Sequence, residues 1–147
     1  MAIQTQDTST ATKPVLTSQD AQAVVQAAMT KAAEQGTPMC IAVVDDGGAL
    51  KAFARMDGAN LGSVQWAIDK AITAASFLYP THMLAQGMES SATVMGSFLK
   101  QPHTTLAPAG YPLMCGETVV GGVGSGGGTT EQDQAVAEAG ASALPVR

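Results

Sequence analysis

The chain has 147 residues, of which 46% are hydrophobic, 13% charged and 4% aromatic, and its seven basic residues against twelve acidic ones leave a net charge of −5. That length suits one domain and leaves no room for two full ones. The acid excess argues against nucleic acid and against an anionic membrane surface as partners, because both need clustered Lys and Arg. No apolar run of about 18 residues exists to form a transmembrane helix. The opening MAIQTQDTSTATKP lacks the basic-then-apolar layout of a secretory leader. Two cysteines, Cys40 and Cys115, are too few for a disulfide framework and too far apart for a CxxC site. A reducing, cytoplasmic setting is the expectation.

Residues 1–14 read as a disordered tail, polar and rich in Thr and Gln, and residues 15–147 as a single domain. Thr17 can cap a first helix, with Asp20 three residues on. Ala21, Val24, Val25, Ala28, Met29 and Ala32 then recur at helical spacing, and Gly36 follows as a stop, which predicts a helix over Ser18–Gln35. Met39 to Val44 is short, apolar and β-branched. Asp45-Asp46-Gly47-Gly48 is turn chemistry, and Ala49 to Met56 is the returning strand of a hairpin.

Asn60 or Ser63 can cap a second helix, whose stripe is Val64, Ala67, Ile68, Ala71, Ile72, Ala75 and Leu78. Thr81 to Lys100 reads as one or two helices interrupted by Gly87 and Gly96, and Gln101 to Ala109 as a Pro-bearing loop with room for a short strand. Tyr111 to Cys115, Gly116-Glu117 and Thr118 to Gly124 form a second hairpin. Thr130 with Asp133 is a capping pair for a last helix, Glu131 to Leu144, after which Pro145-Val146-Arg147 fray. Hairpins with helices around them make an antiparallel α+β domain.

Few residues carry chemistry. Gly122 to Gly127 fits GxGxxG, yet it ends a hairpin strand near the end of the chain, where a dinucleotide fold needs a strand–helix crossover. Close packing of the sheet against a neighbour is the structural alternative, and a nest of backbone N–H groups for an anion is a third. His82 and His103 are the only imidazoles, and no HExxH spacing exists. Each is a solvent-facing polar residue or, functionally, a haem-iron ligand or an acid/base. Arg55 and Asp57 flank a strand end and can hold an anion and position a base. Lys70 borders an apolar helix face, either snorkelling or aimed into a pocket.

Three blocks carry a resemblance: IAVVDDGGALKAFARMDGA (41–59), DKAITAASF (69–77) and AGYPLMCGETVVGGVGSGGGTTEQD (109–133). In register from about Leu16 to Leu144, they resemble the GlcG/HbpS-like haem-binding family, which includes the C-terminal domain of PduO-type proteins. The resemblance implies a profilin-like α/β/α sandwich, a five-stranded antiparallel sheet with helices on both faces, in homo-oligomers from dimer to octamer. It also implies a small ligand, haem in several members, and a setting in small-molecule catabolism. Asp45, Gly48, Arg55, Asp57, Ala59, Lys70, Ala71, Thr73, Ala74, Phe77, Thr81, Gly110, Pro112, Gly121, Gly124, Gly127 and Asp133 match the family pattern. Gly126 stands where the family's glycine loop usually has serine, and Ala109 where it has glycine.

Two functional readings follow. In the first, a ligand such as haem is held by Arg55, Lys70, Thr73, Thr81, Gly110, Tyr111, Gly126 and Gly127, with His82 as the iron ligand. In the second, a cofactor-free isomerase, tautomerase or lyase uses His103, His82 and Asp57 as catalytic groups on a small oxidised organic molecule. Arg55, Asp57, Lys70, Thr73, Thr81, His82 and the Gly110–Pro112 turn are expected to gather around one cavity.

Overall fold

The Thr17 hydroxyl accepts the backbone N–H of Asp20 at 3.0 Å, and helix α1 (Ser18–Glu34) runs from that cap. These coordinates come from a computed structural model that describes residues 10–145. The predicted disorder of residues 1–9 and fraying of 146–147 lie outside the described residues. Lys13, assigned to the tail, pairs with Asp46 of the first hairpin turn.

In that turn one Asp45 carboxylate oxygen accepts the N–H groups of Gly47 and Ala49 at 2.9 and 3.0 Å. Gly48 takes a φ of 82°, which a side chain would resist. The flanking strands are β1 (Cys40–Asp45) and β2 (Leu50–Arg55). The second hairpin is β3 (Gly110–Cys115) and β4 (Thr118–Gly126). All join one antiparallel sheet in the order β2-β1-β4-β3.

That sheet has four strands, not the five that the family resemblance implies. The segment with room for a further strand, Gln101 to Ala109, carries two prolines that cannot donate to a ladder. Its Thr105 N–H is taken by the Thr73 hydroxyl at 3.0 Å. Ala109 sits at a φ of 85°, which turns the chain abruptly into β3.

The two faces of the sheet are built differently. Ile41, Val43, Val123 and Leu113 pack with Val24, Ala28 and Val136 of the helices on one side, an aliphatic core. Cys40, Ala42 and Val44 point the other way, against Ala67, Ala71 and Ala75 of α2 (Gly62–Phe77). There the strands are paved with glycine. A Cβ at Gly124 would lie 2.1 Å from the Ala67 carbonyl oxygen, at Gly122 2.2 Å from that of Ala71, and at Gly110 2.3 Å from that of Lys70. The helix therefore rests backbone on backbone, which only glycine permits.

Two further helices, α3 (Thr81–Met88) and α4 (Ala92–Leu99), follow α2. The break between them is at residues 89–91, where Ser91 caps α4 by accepting the Val94 N–H at 3.2 Å. Gly87 and Gly96, expected to interrupt the pattern, lie inside the two helices. The last helix, α5 (Thr130–Ser142), starts from a capping box made by Thr129 and Gln132. The predicted pair, Thr130 with Asp133, is displaced because the Asp133 carboxylate is engaged elsewhere.

Candidate functional site

Lys70 is where the two layers of the molecule are joined. Its side chain is 2% exposed, and its ammonium donates to the Ser125 carbonyl at 2.7 Å and to Asp133 Oδ2 at 3.1 Å. Asp133 is also buried. Its other oxygen accepts the Gly128 N–H at 2.8 Å, and the Ser125 hydroxyl donates to its carbonyl at 2.6 Å. One ion pair thus ties α2, the end of β4 and the first turn of α5 together. Burial pushes the Lys70 pKa below the ordinary lysine value, and the Asp133 charge and hydrogen bond oppose that shift.

Above the ion pair opens a cleft of about 400 Å³ lined by Asn60, Gly62, Ser63, Trp66, Gly127, Gly128 and Asp133. Trp66 is 58% exposed, and the Lys70 ammonium lies 5.7 Å from its ring centre. Asn60 Oδ1 accepts both the N–H and the hydroxyl of Ser63, at 3.0 and 2.7 Å, and so fixes that wall.

A second group surrounds the middle of α2 and the start of α3. The Thr81 hydroxyl oxygen accepts the Gly110 N–H at 3.0 Å, and the Thr73 hydroxyl donates to the Asp69 carbonyl at 2.7 Å. Both threonines are wholly buried and hold the 103–110 segment onto the helices. His103, at a φ of 61°, presents Nδ1 3.3 Å from Asp69 Oδ1 on an exposed surface. His82 is half-buried, its Nδ1 is shut from solvent without a hydrogen-bond partner, and its ring centre lies 5.9 Å from that of Tyr111. Burial, with the Glu138 charge behind it, raises the Tyr111 pKa, and a hydrogen bond with Gln134 works the other way. Tyr111 is thus a neutral phenol at physiological pH.

Arg55 and Asp57 stand apart from both groups. Arg55 ends the edge strand β2, paired with Cys40, which is paired in turn with Gly126. It is thus two strands from Gly126, and Asp57 is exposed just beyond it. The residues expected around one cavity divide into Lys70 with Gly126 and Gly127, the His82–Tyr111 and Thr81–Gly110 pairs, and this strand end. Asp133, Trp66, Ser63 and Asn60 were not singled out as site residues. The signal for Trp66 was present, since the largest side chain of α2 falls outside its apolar stripe. Asp133 and Asn60 were absorbed by helix-capping patterns.

GxGxxG proves to be the paved strand itself, Gly122 to Gly126 in an antiparallel ladder with Gly127 just past its end, so it does not form a dinucleotide site. The family model "Haem degrading protein HbpS-like" matches residues 16–142. The chain belongs to the HbpS-like family.

A 15.0 kDa protein from the dhaT-dhaS intergenic region of Citrobacter freundii is 34% identical over 119 residues, covering 80% of this chain and 84% of that protein. Escherichia coli GlcG is 33% identical over 113 residues, 77% of this chain and 82% of GlcG. Salmonella typhimurium PduO, a corrinoid adenosyltransferase, is 32% identical over 138 residues, but the match spans 41% of its length and 92% of this chain. Among solved structures, a double mutant of Streptomyces reticuli HbpS superposes with a TM-score of 0.85 at 29% identity, covering 99% of this chain and 97% of that one. The PduOC–haem complex does so with 0.82 at 29% identity, covering 91% and 98%. Among the described residues no helix is long and apolar enough to cross a membrane.

Proposed function

We propose that this HbpS-like chain binds haem, or a planar ligand like it, on the surface formed by the start of α3 and β3, with His82 as the ligand to iron. The observation that carries the reading is the His82 ring, which lies against Tyr111 while its Nδ1 has no hydrogen-bond partner. An imidazole is a strong haem-iron ligand, and with Nδ1 turned into the protein the other ring nitrogen, Nε2, is the one left to meet an iron. Leu78, Tyr79 and Met83 are large exposed apolar side chains next to His82 in sequence, and they supply a wall for a flat ligand.

Thr81 and Gly110 hold the backbone on either side of this surface through their buried hydrogen bond. Haem, when bound, would supply redox and oxygen-binding chemistry. The chain's own part is to fix an imidazole and exclude water from one face. The PduOC–haem complex, of the same fold, supports the ligand class, and the exposed apolar face of residues 78–83 fits assembly of copies around a shared ligand in the cytoplasm. Titration of purified protein with hemin tests the reading. A saturable Soret shift is expected, lost in His82→Ala and kept in His103→Ala. Absence of a saturable shift in the native chain, or its survival in His82→Ala, overturns it.

A further inference from the structure

The cleft over Lys70 shares no lining residue with the His82 surface, and directly beneath its Ser63, Gly127 and Asp133 walls lie the buried Lys70 and Gly126. Two of the three Lys70 N–H donors are used, on Ser125 and Asp133, and the third has no acceptor among the described residues. Next to it, β4 ends in Gly126 rather than in a residue with a side chain. A Cβ at Gly126 would sit 3.6 Å from Lys70 Nζ and 3.6 Å from Ser63 Cβ, in ordinary contact, and the backbone there is extended strand. A gap the size of one Cβ is left there because the residue is glycine, not because the chain needs glycine for its path. Gly122 and Gly124, on the same strand and the same face, have no such space.

We infer that the Trp66 cleft binds a flat, uncharged carbonyl compound, stacked on the indole, whose oxygen enters the space beside Gly126 and accepts the free Lys70 N–H. The indole supplies the apolar wall, and the buried ammonium supplies a charge-assisted donor that a neutral acceptor satisfies. A carboxylate is the wrong partner. The Lys70 charge is already balanced by Asp133 at 3.1 Å, and Asp133 lines the same cleft, so an anion there meets a carboxylate. Asn60 and Ser63, already bonded to each other, shape the opposite wall.

Trp66 is the one tryptophan in the chain, so its emission reports on the cleft directly. Titration with benzamide should change that emission saturably, and benzoate, of the same shape, should bind roughly tenfold or more weakly, as expected for an unfavourable charge. Gly126→Ser should weaken benzamide by about tenfold or more, because its side chain fills the space and its hydroxyl oxygen accepts the free Lys70 N–H. Circular dichroism checks that this variant folds. On the native chain, benzamide should also shift the Trp66 indole N–H and the Gly127 and Gly128 amide resonances, a reading that needs no variant. Absence of a saturable response, equal affinity for benzoate, or undiminished binding to folded Gly126→Ser each overturns the assignment. Hemin binding stays intact in Gly126→Ser and benzamide binding in His82→Ala, so the two sites fail independently.

Discussion

The two faces of the sheet solve the same burial problem by opposite means. Toward α1 and α5, branched side chains such as Val24, Ile41, Val43 and Val136 interdigitate. Toward α2, side chains are nearly absent: alanine faces glycine, and helix carbonyls stand where Cβ atoms would be. An aliphatic face loses stability gradually as atoms are removed, since each methylene contributes about 1 kcal/mol. A backbone-on-backbone face has no slack, because the clash is with main-chain atoms that cannot rotate away. The close approach also lets Lys70 cross from α2 to the end of β4 and reach Asp133 of α5, so the ion pair belongs to the paved face.

The sharpest way to break this comparison is Gly124→Val against Ile41→Val. The first forces a Cβ to 2.1 Å from the Ala67 carbonyl oxygen and should cost more than about 4 kcal/mol, seen as failure to fold or as loss of the cooperative melt. The second removes one methylene from the aliphatic face and should cost about 0.5–1.5 kcal/mol. Denaturant melts of both decide the matter. Similar losses would mean that α2 can lift off the sheet.

Next in size is the ion pair. Lys70→Met leaves the Asp133 carboxylate buried without its cation, and a loss of about 3–5 kcal/mol is expected. Replacing both partners, Lys70→Met with Asp133→Leu, should recover most of that loss, since an apolar pair of similar size avoids stranding a charge. A double-mutant cycle on denaturation midpoints measures it. If the double variant is no better than Lys70→Met alone, the Asp133 bond to the Gly128 N–H, rather than the charge, is what stability requires.

Elements were legible in the sequence wherever periodicity and turn chemistry agreed. The α1 stripe, the Asp45–Gly48 turn and the two hairpins are local patterns, and the observed elements follow them closely. The fifth strand rests on the family resemblance and on the room for a short strand in Gln101 to Ala109, and that proline-bearing segment with its Ala109 kink does not supply it. Asp133 looked like a cap because three-residue spacing from Thr130 is a local signal. Its partner Lys70 lies 63 residues away, and no local pattern encodes such a pair. The glycines of β4 announced close packing without saying what lay against them. The carbonyls of α2 became identifiable only once the strand and helix were brought together.

The smallest expected effect distinguishes the faces by their cysteines. Cys40 is wholly buried on the paved face at the start of β1, whereas Cys115 is half-buried at the end of β3 beside the aliphatic core. Burial pushes the Cys40 thiol above its ordinary pKa of 9.0, and the Arg55 charge counters only part of that shift. A thiol that holds its proton more tightly when folded contributes stability that is complete below the unfolded pKa. That contribution is lost as pH rises from there through the folded value. The stability difference between the native chain and Cys40→Ala should therefore shrink as pH climbs beyond the ordinary thiol range. In the folded protein an aromatic disulfide reagent should label Cys115 first, because the thiolate is the nucleophile and only Cys115 is open to it. Equal labelling rates at neutral pH would mean that the β1 end of the paved face opens readily, and that its packing against α2 is looser than the glycine contacts imply.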